Sequence, residues 1–261
     1  MMKMSQFVLM GVFASSAIAV SAASLEPIRQ SCTVSIGDKA GTLRLETDNG
    51  QCEGRKHCGT NMSDVPLNRL TGFSVADLAQ AGAHLAATLA AEAGTFTCSG
   101  AVKDNELHGN SVFTPDAGFV TRMERMGFSG FDSEKLEAYT LLDVRSDWAQ
   151  SLKELGIHGL DADNLVALRV FNVDPAYVHS ITGLGYALPD ADQLISLRVQ
   201  GVNAEEVTQI RALGYEPTID QLVQIRIFKI TPEFIHRMQA RGFKNLTIDK
   251  LVQIRIFKLA D

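Results

Sequence analysis

Four arginines recur at one place in a repeated phrase. LVALRVFNV, LISLRVQGV, LVQIRIFKI and LVQIRIFKL begin at Leu165, Leu194, Leu222 and Leu251, and carry Arg169, Arg198, Arg226 and Arg255. Guanidinium groups at a fixed period can form a basic stripe that grips an anionic polymer or an acidic partner. They can equally form an internal ladder, bonding helix C-terminal carbonyls or acidic residues of the adjacent unit. The flanking apolar residues must be buried, which favours the ladder. The stripe nevertheless stands as the candidate binding surface.

Other chemistry is sparse. The chain has no Gly-rich phosphate loop, no Gly-x-Ser-x-Gly elbow and no zinc-protease motif. His57, His84, His108, His158, His179 and His236 are scattered. No catalytic residue, metal site or cofactor is assigned, and an enzyme is not expected. The cysteines are Cys32, Cys52, Cys58 and Cys98, all ahead of the repeats. An even number in an exported chain reads first as two disulfides with three pairings open. The preferred pairs are Cys52 with Cys58, closing a loop, and Cys32 with Cys98, tying an early strand to a late one. A metal site on Cys52, His57 and Cys58 lacks a paired CxxC and a fourth ligand.

The elements that would hold these residues fall into three stretches. Residues 1–23 read as a signal peptide: Lys3 precedes an apolar run from Phe7 to Ala19, and small residues follow at Val20-Ser21-Ala22-Ala23. No later stretch could span a bilayer, so a periplasmic or secreted location is expected. The formal charge is −6, or about −7 without Lys3, which disfavours nucleic acid as a partner. Residues 24–113 read as a small disulfide-linked antiparallel β domain. Thr33–Ile36, Thr42–Glu46, Thr95–Cys98 and Ser111–Phe113 alternate polar and apolar residues between turn residues. The alanine-rich stretch from Ala76 to Ala93 has helical composition, but its place between β patterns leaves Ala83–Ala90 open as a strand. The loop from Asp48 to Asp64 is the least constrained part.

Residues 114–261 read as five helical repeat units. The phrase starts are 29, 28 and 29 residues apart, the signature of a stacked array. Gly127, Gly156, Gly185, Gly214 and Gly242 align the units. Four residues upstream sit Met123, Leu152, Ile181, Ile210 and Met238, and a further turn back Phe119, Trp148, Tyr177, Val207 and Phe234. That spacing makes one apolar helix face, and each glycine suits a left-handed C-terminal cap. Caps are expected at Thr114-Pro115, Asp174-Pro175 and Thr231-Pro232, and at Ser146 and Asn203. The second element of each unit, holding the phrase, is expected to be a helix capped at Asp161 and Asp190; its β-branched richness keeps a strand open. In the first unit Tyr139-Thr140 replaces the Leu-Arg pair, which suits a junction with the β domain.

ITPEFIHRMQARGFKNLTIDKLVQIRIFKL, NVDPAYVHSITGLGYALPDADQLISLRV and GIHGLDADNLVALRVFNV resemble repeats of exported bacterial proteins. Similar units follow the peptidase part of some BlaR-type sensor-transducers. AGTFTCSGAVKDNELHGNSVFTPDAGFV resembles the β region that precedes such repeats. The resemblance implies a periplasmic accessory or interaction role. The His-Glu-x-x-His motif of that peptidase is absent, so peptidase activity is not implied.

The fold class expected is therefore α+β: a small antiparallel β domain followed by an α-helical, solenoid-like repeat array. The function expected is a non-enzymatic interaction or scaffold role, binding an envelope protein or polymer through the repeat surface. Self-association through the final repeat, at Ile256 and Phe257, is also open. The competing reading is a small-ligand sensor or hydrolase at the junction of the two parts, near His108, Asp116 and Asp143.

Overall fold

The computed structural model describes residues 25–48 and 60–259. The expected signal peptide and the expected Cys52–Cys58 pair, with His57, lie outside the described residues. The class is α+β: a seven-stranded antiparallel sheet followed by ten helices among the described residues.

Strands β1 (Ile28–Ile36), β2 (Thr42–Asp48) and β3 (Thr60–Pro66) form one meander. A second comprises β4 (Leu70–Thr71), β5 (His84–Ala91), β6 (Gly94–Lys103) and β7 (Glu106–Pro115). β7 pairs with β1, giving the order β3-β2-β1-β7-β6-β5-β4. The two edge strands are thus consecutive in the chain, joined only by the 3-10 turn Leu67–Arg69. The four peptide steps from Pro66 to Leu70 reach at most about 15 Å. A flat seven-stranded sheet would hold its edges about 29 Å apart. The short link therefore requires a rolled sheet.

The disulfide spans a bend in the sheet. Cys32 on β1 bonds Cys98 on β6, the expected pair, although β7 lies between those strands. Their Cα atoms are 6.0 Å apart, whereas two strand spacings in a flat sheet span about 9.6 Å. Cys32 is opposite Gly109, and Gly109 is opposite Gly100. A Cβ on Gly109 would sit 2.0 Å from the Ser99 carbonyl oxygen, and one on Gly100 2.0 Å from that of His108. Glycine is needed here for close backbone approach. Around the bend, alternation buries Val34, Leu43, Leu45, Val65, Leu89, Phe96, Leu107 and Phe113 on the inner face. The alanine-rich stretch resolves into a 3-10 turn, Val75–Ala79, and then β5. Pairing with β4 and β6 overrides the helical composition there.

The helices are α1 (Ala117–Arg125), α2 (Ser133–Leu142), α3 (Ser146–Glu154), α4 (Ala162–Val170), α5 (Pro175–Thr182), α6 (Ala191–Val199), α7 (Ala204–Ala212), α8 (Ile219–Ile227), α9 (Pro232–Ala240) and α10 (Ile248–Ile256). The recurring phrase is helical in every unit, as the Asp161 and Asp190 caps foretold. Helix α2 packs against β3, β5, β6 and β7. It also packs against α4, and the succession α4, α6, α8, α10 continues in the same way. One buried apolar cluster runs through sheet and helices alike.

Helix ends follow from backbone chemistry. The five aligned glycines all have φ between 78° and 88°, in the left-handed region. At Gly127 and Gly242 the next residue, Phe128 or Phe243, donates its N–H back to Met123 or Met238. The even helices end in the same way without a glycine rule. Asp143, Asn172, Gly201, Lys229 and Lys258 take the left-handed position. Val144, Val173, Val202, Ile230 and Leu259 then donate back into the last turn. Asp174, Asn203 and Thr231 cap their helices as expected. Two starts differ. Asp116, not Thr114, caps α1, because Pro115 still belongs to β7. Ser146 is the first residue of α3, and its N–H and hydroxyl both donate to the Glu92 carboxylate, at 3.1 and 2.5 Å. A carboxylate from the β5–β6 turn supplies what a local cap would otherwise give.

Replacing Gly109 with Ala is expected to lower stability by about 1–3 kcal/mol with the disulfide intact, because a Cβ there meets backbone that cannot swing away. Thermal denaturation under oxidising conditions measures it. Reducing the Cys32–Cys98 bond should remove a further ~2–4 kcal/mol.

Candidate functional site

All four arginines bond back along the chain; Arg169, Arg198 and Arg255 are half-buried, and Arg226 is exposed. Arg169 Nε donates to the Leu142 carbonyl at 3.0 Å, and its guanidinium lies 5.6 Å from the Trp148 ring centre. Arg198 donates to Asn172 O at 2.8 Å and lies 4.3 Å over Tyr177. Arg226 donates to Gln200 O at 2.8 Å. Arg255 donates to Lys229 O at 3.1 Å and lies 3.8 Å over Phe234. In each case the acceptor lies at the end of the preceding even helix or within two residues of it, and for Arg169, Arg198 and Arg255 the ring belongs to the odd helix between. Where that odd helix has Val207 in place of an aromatic ring, Arg226 instead bonds Glu206 at 3.1 Å. Orphan carbonyls at a helix C-terminus carry partial negative charge, so a guanidinium is a fitting partner. Tyr177 shares the same seam: its hydroxyl donates to Val202 O at 3.2 Å, and burial pushes its pKa up to about 12.

Sequence reasoning missed two extensions of this ladder. Lys153 on α3 donates to Met126 O, and Arg211 on α7 to Leu184 O, so odd helices are linked as well. Both stand three residues before an aligned glycine, a signal the alignment contained. Arg69, by contrast, comes from the turn between the sheet edges. It donates to Thr140 O at 2.7 Å and Leu141 O at 2.9 Å, and sits 3.5 Å from Asp143. Asp143 also lies 3.6 Å from Arg169. No local pattern announces Arg69.

With the arginines engaged, the next residue of each phrase is left outside. Val170 is 48 % exposed, Val199 48 %, Ile227 51 % and Ile256 51 %. Phe171 and Phe257 beside them are exposed as well. Such half-exposed aliphatic residues at one repeat position are an apolar surface feature.

The residues considered for a junction site serve local partners. His108 pairs with Glu106 and Thr33 near the start of β7. Asp116 caps α1 just beyond the end of that strand. At ~3.3 Å per residue they are about 25 Å apart. Asp143 is held by Arg69 and Arg169. The three are not gathered into one site. Among the described residues no cluster of three His, Cys, Asp or Glu side chains could hold a metal ion. No helix among them is long and apolar enough to cross a membrane.

A different polar group is buried at the junction. Glu137 on α2 is only 5 % exposed. Its Oε2 accepts from Gln30 Nε2 at 3.2 Å, while Oε1 has no hydrogen-bond partner. Burial raises its pKa above the ordinary carboxylate range; the Gln30 bond opposes this and the Glu134 charge adds to it. It lines a cleft of about 490 Å³ between α2, β1 and β3. In the sequence Glu137 looks like any helix glutamate, because only the rolled sheet buries it.

Comparison with protein-family models, curated proteins and solved structures gave no match.

Two outcomes follow. Arg198→Ala should destabilise by about 1 kcal/mol through loss of the Asn172 carbonyl bond and the Tyr177 ring contact, while Val199→Ser leaves the melting temperature nearly unchanged; thermal denaturation of both variants compares them. For Glu137, the folded state favours the protonated acid, so its contribution is fully present below the unfolded pKa and is lost as pH rises through the raised folded pKa. The melting temperature of Glu137→Gln relative to the parent should therefore rise between pH 4 and pH 8.

Proposed function

We propose that the chain is an exported, non-enzymatic scaffold of the cell envelope, whose helical units stack as a solenoid-like array and bind another envelope protein. One observation carries this reading: the recurrence of half-exposed aliphatic residues at Val170, Val199, Ile227 and Ile256. The helices bearing them pack in succession, so at helix spacings near 10 Å they form an apolar row. Repeat arrays use such extended surfaces to hold partners. The arginines flank the row but are occupied by carbonyls, rings and Glu206. A purely electrostatic grip on an anionic polymer is the weaker reading for that reason. The partner fitting this surface is a protein with a complementary apolar strip. The intramolecular disulfide and the resemblance to exported repeat proteins both support an envelope location.

A photo-crosslinking residue at Ile227, introduced into the full chain in intact cells, should capture a discrete envelope protein, and the same residue at the exposed Asp220 should not. Changing Val170, Val199, Ile227 and Ile256 together to Ser should abolish the capture without unfolding the protein. Equal capture from both positions, or capture that survives the fourfold change, would refute the reading. Capture of a second copy of the chain would instead mark self-association through these helices.

A further inference from the structure

The cleft beside Glu137 is separate from the apolar row and has the chemistry of a ligand site. Its walls are Ile28, Met62, Leu141 and Leu142 on the apolar side, with Gln30, Ser63, Glu134 and Glu137 as polar groups and Arg29 at the rim. A volume of about 490 Å³ is within the ordinary range for small-molecule pockets. A buried carboxyl oxygen without a partner is unfavourable by ~1–3 kcal/mol, and more when it is charged. The fold keeps this group although a hydrophobic residue of similar volume would avoid the penalty. Gln30 does not relieve it: its amide bonds the other oxygen. No lysine lines the cleft, and Arg29 is exposed. Glu134 stands one turn away on the same helix face, three residues before Glu137, and adds a second negative group. The donors on the walls, Gln30 and Ser63 with Arg29 at the rim, leave Oε1 of Glu137 without a partner, so a ligand that supplies a cationic donor on an apolar body would complement the site.

We propose that this cleft binds a small cationic amphiphile, whose primary ammonium head donates to Oε1 of Glu137 and whose apolar body lies along Ile28, Met62, Leu141 and Leu142. The geometry places an acceptor and an apolar wall in one site. Glu137 is more than nine-tenths buried, and the aliphatic groups come from both α2 and the strands. Binding would tie α2 to β1 and β3.

Isothermal titration of the purified full chain with octylamine tests this. Octanol, octanoate and octyltrimethylammonium are the matched controls. Octylamine should bind saturably at one site, and at least about tenfold more tightly than any control. The trimethyl compound keeps the charge but has no N–H to donate, so it separates the hydrogen bond from simple attraction. Glu137→Gln keeps the size of the side chain, and its unchanged amide NMR spectrum elsewhere would show that the fold is intact. It should weaken octylamine about tenfold or more while leaving octanol unaffected. Chemical-shift changes should fall on β1, β3 and α2. Equal affinity for amine and alcohol, no binding at all, or an unchanged affinity in Glu137→Gln would overturn the proposal and leave Glu137 as a buried acid without a ligand. The fourfold Ser variant of the apolar row should bind octylamine normally, so failure at one surface does not decide the other.

Discussion

Helix α2 must satisfy two neighbours at once, and the rest of the structure depends on how it does so. One side packs on β3, β5, β6 and β7, and α4 packs on it as the first of the succession of even helices. Its C-terminal carbonyls are bonded from both directions, by Arg69 out of the sheet and by Arg169 out of α4. Asp143 lies between the two guanidinium groups and neutralises part of their repulsion. Burial of Tyr139 and Thr140 completes the seat. Tyr139 donates to Ala162 O at 2.7 Å, so the start of α4 is tied to the same residue that packs edge-to-face on Phe119 and Phe131.

The sheet can accept α2 because it rolls. Two features force the roll: a three-residue link between its edges and a disulfide that crosses over β7. The paired glycines Gly100 and Gly109 remove side chains where the backbones come closest. The same roll creates the cleft, because β1 and β3 are brought alongside α2 at Glu134 and Glu137.

In the repeats, charge and apolar surface exchange the roles that simple exposure would suggest. A guanidinium that bonds a carbonyl and covers an aromatic ring, or pairs with Glu206 as Arg226 does, is part of the helix contact. The aliphatic residue after it has no such use and is left half exposed. This division recurs through Arg169–Val170, Arg198–Val199, Arg226–Ile227 and Arg255–Ile256. The surface left at these positions is aliphatic rather than basic.

Period, helix faces and caps could be read directly from the chain. Met123, Leu152, Ile181, Ile210 and Met238 are buried, and the aligned glycines are left-handed, because these properties depend on residues within one or two turns. The strands Thr33–Ile36 and Ser111–Phe113 could be read for the same reason, through alternation. The Cys32–Cys98 pairing was one choice among three, and the Ala83–Ala90 strand was undecided, since both depend on which strands become neighbours. Caps that cross between elements, Glu92 on α3 and Arg69 on α2, left no local trace. Glu137 is the clearest case: its helix is local, but its burial, its unpaired oxygen and the cleft around it come from strands over a hundred positions away in Gln30 and over seventy in Met62. Short-range backbone and packing rules act within a few residues and so are written in the residue pattern. Desolvation of a side chain depends on every segment that closes over it, which is a property of the folded whole.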